Sequence, residues 1–247
     1  FLDSKLNSHK SLRFYLKKNK IGDKGASTLG AYLGNCQSVQ ALNLNMRHNN
    51  LGDQGGLELG CALADFQNLS SLSLKFGYNQ ISSSDVIGLG NAFQKCSNLS
   101  VLALDMRENK MSKEGMLRFF STLTKCKNLK KLTLMLGFLG INDQDIQALC
   151  PTLENLNKIQ TLFLDFQWNK ISDQGTFLLS STLAKCAKLQ NLTVILKYNS
   201  IKSDGTANFF SNLSELKYLN FQQINGIYDF NPIFLKRKLK RLVNIIK

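Results

Sequence analysis

A chain of 247 residues, 43% hydrophobic and 19% charged, carries enough apolar side chain to bury a substantial core, which excludes a disordered polypeptide. No run approaches the ~20 uninterrupted apolar residues of a membrane-spanning helix, and the opening FLDSKLNSHK lacks the positive-then-apolar order of a secretory signal. The formal net charge of +14 points to partners of opposite sign.

Residues 1–10 are expected to form an N-terminal flank or cap, and a chain that starts at Phe1 rather than Met fits a piece of a longer protein. From residue 11 the sequence aligns with itself without gaps, in lines of thirty starting at 11, 41, 71, 101, 131, 161 and 191. A fixed period of this size predicts a solenoid. Each line opens on apolar alternation, as in Leu42, Leu44 and Met46 or Leu162, Leu164 and Phe166. Period two over five residues predicts a strand with one buried face. An Asn comes next in six lines, at 19, 49, 79, 109, 169 and 199, and a column of amides able to donate and accept can tie successive turns together. The second half of each line changes to helical spacing, as in Phe119, Leu123 and Cys126, after small or capping residues such as Gly22, Gly52, Ser82, Ser112, Asn142 and Ser172. Neither element buries its apolar side alone, and stacking supplies the neighbour.

The fifth line departs from the pattern, with Leu139 in place of Asn and Pro151 inside its helical half. Either this repeat has simply drifted, or the missing rung loosens the ladder or opens a docking place. Beyond residue 220 the pattern ends in a basic segment, 221–247, whose FLKRKLKRLVNIIK either caps the open core or docks elsewhere.

The pattern LxLx[FM]xxNx[IL]xDxG followed by LxxxLxxCxxL resembles the leucine-rich repeats of the ribonuclease-inhibitor type, and NKISDQG, NNLGDQG and NKIGDKG are similar to repeat arrays of protist, particularly ciliate, proteins. The resemblance covers residues 11–220. It implies an α/β fold: a curved horseshoe solenoid with a parallel concave sheet, outer helices and seven thirty-residue repeats plus caps. Its implication for function is broad, because such repeats serve many unrelated partners.

Chemistry-bearing patterns are weak. His9 and His48 lie at no metal-ligand spacing, no phosphate loop occurs, and GLGNAF at 88–93 falls in a helical half rather than after a strand. Cys36, Cys96, Cys126 and Cys186 share one repeat position with Phe66, Leu156 and Leu216, so they read as core thiols of a reducing compartment. The sequons at Asn68, Asn98, Asn191 and Asn212 read as helix-to-strand junction residues. The chain is therefore expected to be no enzyme and to use no metal or cofactor.

Strand residues opposite the buried set face outward on the concave side, where seven strands about 4.8 Å apart span roughly 30 Å. The early lines place Arg13, Tyr15, Lys17, Asn43, Asn45, Arg47, His48, Lys75, Tyr78 and Arg107 there. The later lines place Met135, Phe138, Phe163, Trp168, Ile195, Lys197 and Tyr198. Aromatic residues mixed with Arg suit a protein interface, although an aromatic before the Asn can also pack on the next rung. Charge gathers at the ends, with seven Lys or Arg against two Asp in residues 1–24 and six against none in residues 236–247, including Lys236, Arg237, Lys238, Lys240 and Arg241. Basic residues split between two ends, with no nucleic-acid motif, favour an acidic protein surface over nucleic acid.

The expected role is a non-catalytic protein-binding module or scaffold, monomeric within a larger complex, in the cytoplasm or on cytoskeletal or ciliary structures. Alternatives are a structural subunit held in a large assembly, such as a ciliary microtubule or organellar complex, through its basic ends, and the regulatory repeats of a larger enzyme such as a kinase.

Overall fold

The computed structural model describes residues 8–66, 68–82, 85–214 and 220–225. Strand and helix alternate: β1 (Ser11–Tyr15), α1 (Gly22–Leu33), β2 (Ala41–Asn45), α2 (Asp53–Leu63), β3 (Ser71–Lys75), α3 (Asp85–Lys95), β4 (Val101–Asp105) and α4 (Lys113–Leu123). Then come β5 (Lys131–Met135), α5 (Asp143–Asn155), β6 (Thr161–Asp165), α6 (Asp173–Ala184), β7 (Asn191–Ile195), α7 (Ser203–Leu213) and β8 (Asn220–Asn225).

The chain divides into two compact units, Phe1–Leu129 and Lys130–Lys247. In the first, β1 to β4 lie parallel in chain order, with Leu12, Leu42, Leu72 and Leu102 in one register row. In the second, β5 to β8 do the same, with Leu132, Leu162, Leu192 and Phe221 in register. Within each unit, consecutive helices pack side by side. The core lies between sheet and helices: the alternating strand leucines are buried, and so are Leu33, Leu63, Leu123, Leu153, Leu183 and Leu213, which recur at one helical position.

Hydrophobic burial is non-directional and does not by itself set the register; two polar ladders do. The Asn of one repeat reaches back to the one before. Asn79 Oδ1 accepts from the amides of Asn49 (2.9 Å) and Leu51 (3.0 Å), while its Nδ2 donates to the carbonyls of Met46 (3.0 Å) and Phe76 (2.7 Å). Asn169 repeats this in the second unit, accepting from Leu139 and Ile141 and donating to Leu136 and Phe166. The Asp that opens the helical half, in DxG at Asp23 and Asp173 and in DxD at Asp143, reaches forward instead. Asp23, Asp143 and Asp173 accept from the amides of Gly52 (2.7 Å), Ser172 (2.8 Å) and Lys202 (2.7 Å) in the next repeat. The glycine of that next repeat must then lack a side chain: a Cβ on Gly175 would lie 2.3 Å from Asp143 Oδ1, and one on Gly205 2.2 Å from Asp173 Oδ1.

Strand exits share a backbone device as well. Lys18, His48, Tyr78, Glu108, Phe138, Trp168 and Tyr198, the residues just before the Asn position, all adopt left-handed φ values between 52° and 62°. A non-glycine there costs roughly 1–2 kcal/mol. The turn aims the amide of Tyr78 at Arg107 O (2.7 Å) and that of Trp168 at Lys197 O (2.9 Å), which offsets the cost.

Helix starts coincide with the capping residues Ser112, Asn142 and Ser172, whose side chains accept from amides of the first turn, and Asp145 completes a capping box with Asn142. Pro151 lies inside α5, which nevertheless runs to Asn155. The strand pattern continues past residue 220 into β8, a stretch that the sequence pattern assigns to the start of the basic segment. Pairing of β7 with β8 is irregular between Leu192 and Thr193, before Thr193, Val194 and Ile195 face Gln223, Ile224 and Asn225. Residues 1–7 and the basic residues Lys236, Arg237, Lys238, Lys240 and Arg241 lie outside the described residues.

Candidate partner-binding face

Successive strand side chains point to opposite sides of a sheet, so burial of the even-numbered residues puts the odd-numbered ones on the side away from the helices. In the first unit, Arg13, Tyr15 and Lys17 on and after β1 are exposed, whereas Asn43, Asn45, Arg47, His48, Lys75 and Arg107 are half-buried. Arg47 and Arg107 are not simple surface charges. Both bind Asp105, the last residue of β4, whose side chain is 2% exposed. Arg107 donates from Nε to Oδ1 (3.0 Å) and from Nη2 to Oδ2 (3.1 Å), and Arg47 donates from Nε to Oδ2 across the intervening repeat. That repeat has Gly77 at the crossing point, where a Cβ would stand 3.0 Å from Asp105 Oδ1. A buried carboxylate is costly unless paired, and two guanidinium groups supply the pairing.

Beside this cluster the rings of His48 and Tyr78 stack, with centroids 4.3 Å apart and planes 12° from parallel. Burial, and then the nearby charges of Lys18, Lys17 and Arg47, lower the His48 pKa from its ordinary 6.5, with Glu108 opposing them. Sequence reasoning places Asp105 among the outward strand residues but gives it no role. Its signal was an acidic residue at an outward strand position, beside a glycine one repeat earlier and arginines at 47 and 107.

In the second unit the outward face sets apolar side chains among polar ones. Phe163 lies between Thr133 and Thr193 in one register row, and Asp165 lies between Met135 and Ile195 in the next; Met135, Phe163 and Ile195 are half-buried. At the strand exits, Phe138, Trp168 and Tyr198 form one continuous stack. The Phe138 and Trp168 centroids are 5.3 Å apart at 16°, and those of Trp168 and Tyr198 are 4.0 Å apart at 22°. Each such contact is worth about 0.5–1.5 kcal/mol beyond area burial, so the stack stiffens the turn as well as presenting it. The three rings remain 38%, 48% and 46% exposed, respectively. Lys197 sits half-buried beside them. The sequence pattern does not single out the exposed Leu117 on α4 and Phe177 on α6. Both belong to the helical side, where a lone apolar residue breaks no period.

The remaining candidates fall into structural places. Cys36, Cys96, Cys126 and Cys186 are buried thiols, with burial pushing Cys96 and Cys186 up to about 11 and Cys126 up to about 12. Among the described residues no group of three or more His, Cys, Asp or Glu could hold a metal ion, and no helix is long and apolar enough to cross a membrane. The sequon asparagines correct one expectation. Asn68 does lie at a helix-to-strand junction and donates to Gln37 O (3.4 Å), but Asn191 opens β7, and Asn212 sits within α7 and donates to Ser180 and Ser181.

A family model described as Leucine Rich repeat matches residues 10–30 and 35–60, the first two copies of a strand, turn and helix that recur at the same spacing through α7. Those residues therefore carry leucine-rich repeats. Among solved structures, internalin C2 from Listeria monocytogenes is similar to this chain at 21% identity, covering 86% of this chain and 80% of its own, with a TM-score of 0.44. Human 5T4 (Wnt-activated inhibitory factor 1, trophoblast glycoprotein) is similar at 18% identity, covering 78% of this chain and 62% of its own, with a TM-score of 0.44. No curated protein sequence matches the chain.

Proposed function

We propose that this leucine-rich repeat chain is a non-catalytic protein-binding module that holds a protein partner against the strand side of its repeats. The observation that carries the reading is the exposed stack of Phe138, Trp168 and Tyr198 beside half-buried Met135, Phe163 and Ile195. Rigid aromatic surface of this kind supplies contact area at little conformational cost. The basic residues of the first unit steer a partner with an acidic surface, and the module acts as a monomer within a larger complex. Four thiols packed in the core fit a reducing, cytoplasmic compartment.

Affinity capture from the source cells tests this, using wild type and the triple variant F163A/W168A/I195A with washes at low and high salt. The reading predicts a partner retained by wild type in both washes and lost by the triple variant. A partner unaffected by the triple variant but lost at high salt overturns it. That result would favour attachment through the basic ends, where residues 1–24 and 236–247 concentrate the positive charge.

A further inference from the structure

The first unit carries a second recognition feature that the aromatic face does not use. At the strand exits the outward row reads Lys17, Arg47, Gly77 and Arg107, and one step back it reads Tyr15, Asn45, Lys75 and Asp105. With strands about 4.8 Å apart, Arg47 and Arg107 start roughly 10 Å from one another across the bare backbone of Gly77. Asp105 draws both guanidinium groups together from below while being almost wholly buried itself. Arg47 and Arg107 share this one carboxylate, which holds both guanidinium groups on the strand side with about one-fifth of each side chain exposed.

The surroundings are basic. Arg13, Lys17, Lys18 and Lys75 join the two arginines on this side of β1 to β4, where among the described residues the opposing carboxylates are those of Asp105 and Glu108. We infer that this cluster is a built site for the carboxylate side chains of an acidic peptide segment, with Arg47, Arg107 and Lys75 making the contacts and Asp105 as the positioning residue. The inference rests on the reading of the chain as a protein-binding module. A carboxylate is favoured because Asp105 already shows that these two guanidinium groups take one, and a single-stranded nucleic acid, which matches the same charge, is an outcome of the test.

The test is fluorescence anisotropy of labelled decaglutamate on the full chain, with decaglutamine and a ten-nucleotide single-stranded oligonucleotide as comparison probes. Wild type is expected to bind decaglutamate and not decaglutamine. R47Q is expected to weaken binding about tenfold, and R107K, which keeps the charge but loses the fork, by a similar factor. D105N, checked for folding by circular dichroism, adds a net positive charge and yet is expected to bind more weakly, because nothing then fixes the guanidinium planes.

Unchanged decaglutamate affinity in R47Q and R107K overturns the inference. So does tighter binding by folded D105N, or a preference for the oligonucleotide. W168A is expected to bind decaglutamate as wild type does, so failure here leaves the aromatic face standing, and loss of partner capture by the triple variant leaves this site untouched.

Discussion

The six cysteines differ in reactivity because the repeat gives them different surroundings. Cys61 on α2 is exposed, whereas Cys96, Cys126 and Cys186 are buried, with thiols held at about 11, 12 and 11. Only a thiolate attacks an alkylating reagent, so at pH 8 mass spectrometry should find Cys61 modified first and those three protected until the chain unfolds. Early labelling of Cys126 would contradict the burial. His48 supplies a pH dependence whose sign is fixed. Its pKa is lowered in the fold, first by burial and then by Lys18, Lys17 and Arg47, so the unfolded chain takes up the proton first. The stability it contributes is full above pH 6.5, its ordinary pKa, and falls as the pH drops from there through the lowered value. Wild type should therefore lose more thermal stability than H48Q between pH 7.5 and pH 5; equal losses would count against it. The sequence showed that the cysteine position is a core position, since Phe and Leu also fill it. It could not show the environment of His48, which depends on a ring one repeat away.

The elements were legible where period alone decides them. Alternation located β1 to β7, and the change to helical spacing located the helices, because each repeat must bury one strand face and one helix stripe against its neighbours. The column of Asn residues was readable as a tie between turns. The forward reach of Asp23, Asp143 and Asp173 was not, since the DxG or DxD spacing looks local and becomes an inter-repeat contact only when the next repeat stacks on it. The two ladders predict different failures. Asn79→Ala removes the acceptor of two amides and a donor to the carbonyls of Met46 and Phe76, the latter keeping Asn109, and should cost on the order of 3 kcal/mol in urea unfolding, whereas Asn19→Ala, at an exposed position, should cost under about 1 kcal/mol. Gly175→Ala places a Cβ 2.3 Å from Asp143 Oδ1 and should destabilise by about 1–3 kcal/mol. Near-equal midpoints for Asn79→Ala and Asn19→Ala would show that the amide column does not set the register.

At the scale of the whole molecule, the strand side was legible as a binding candidate because outward strand positions are free of the core pattern, and a bias toward Arg early and aromatics late stands out against the period. The sequence groups Arg47 and Arg107 with the other surface cations. The structure instead pins both on Asp105, since a pairing that skips one repeat leaves no trace in a thirty-residue alignment. The continuous stack of Phe138, Trp168 and Tyr198 was likewise visible only as three aromatics in one column. The proposed binding face puts a protein partner on this side. Hydroxyl-radical footprinting of the chain alone and with a captured partner tests it directly, because Met135, Phe138, Phe163, Trp168 and Tyr198 are all readily oxidised side chains. A partner on the strand side protects Met135, Phe163, Trp168 and Tyr198 in the complex and leaves Phe177 on α6 and Leu117 on α4 oxidised as before. Protection of Phe177 and Leu117, with the aromatic stack oxidised at its free rate, would place the partner on the helical side instead.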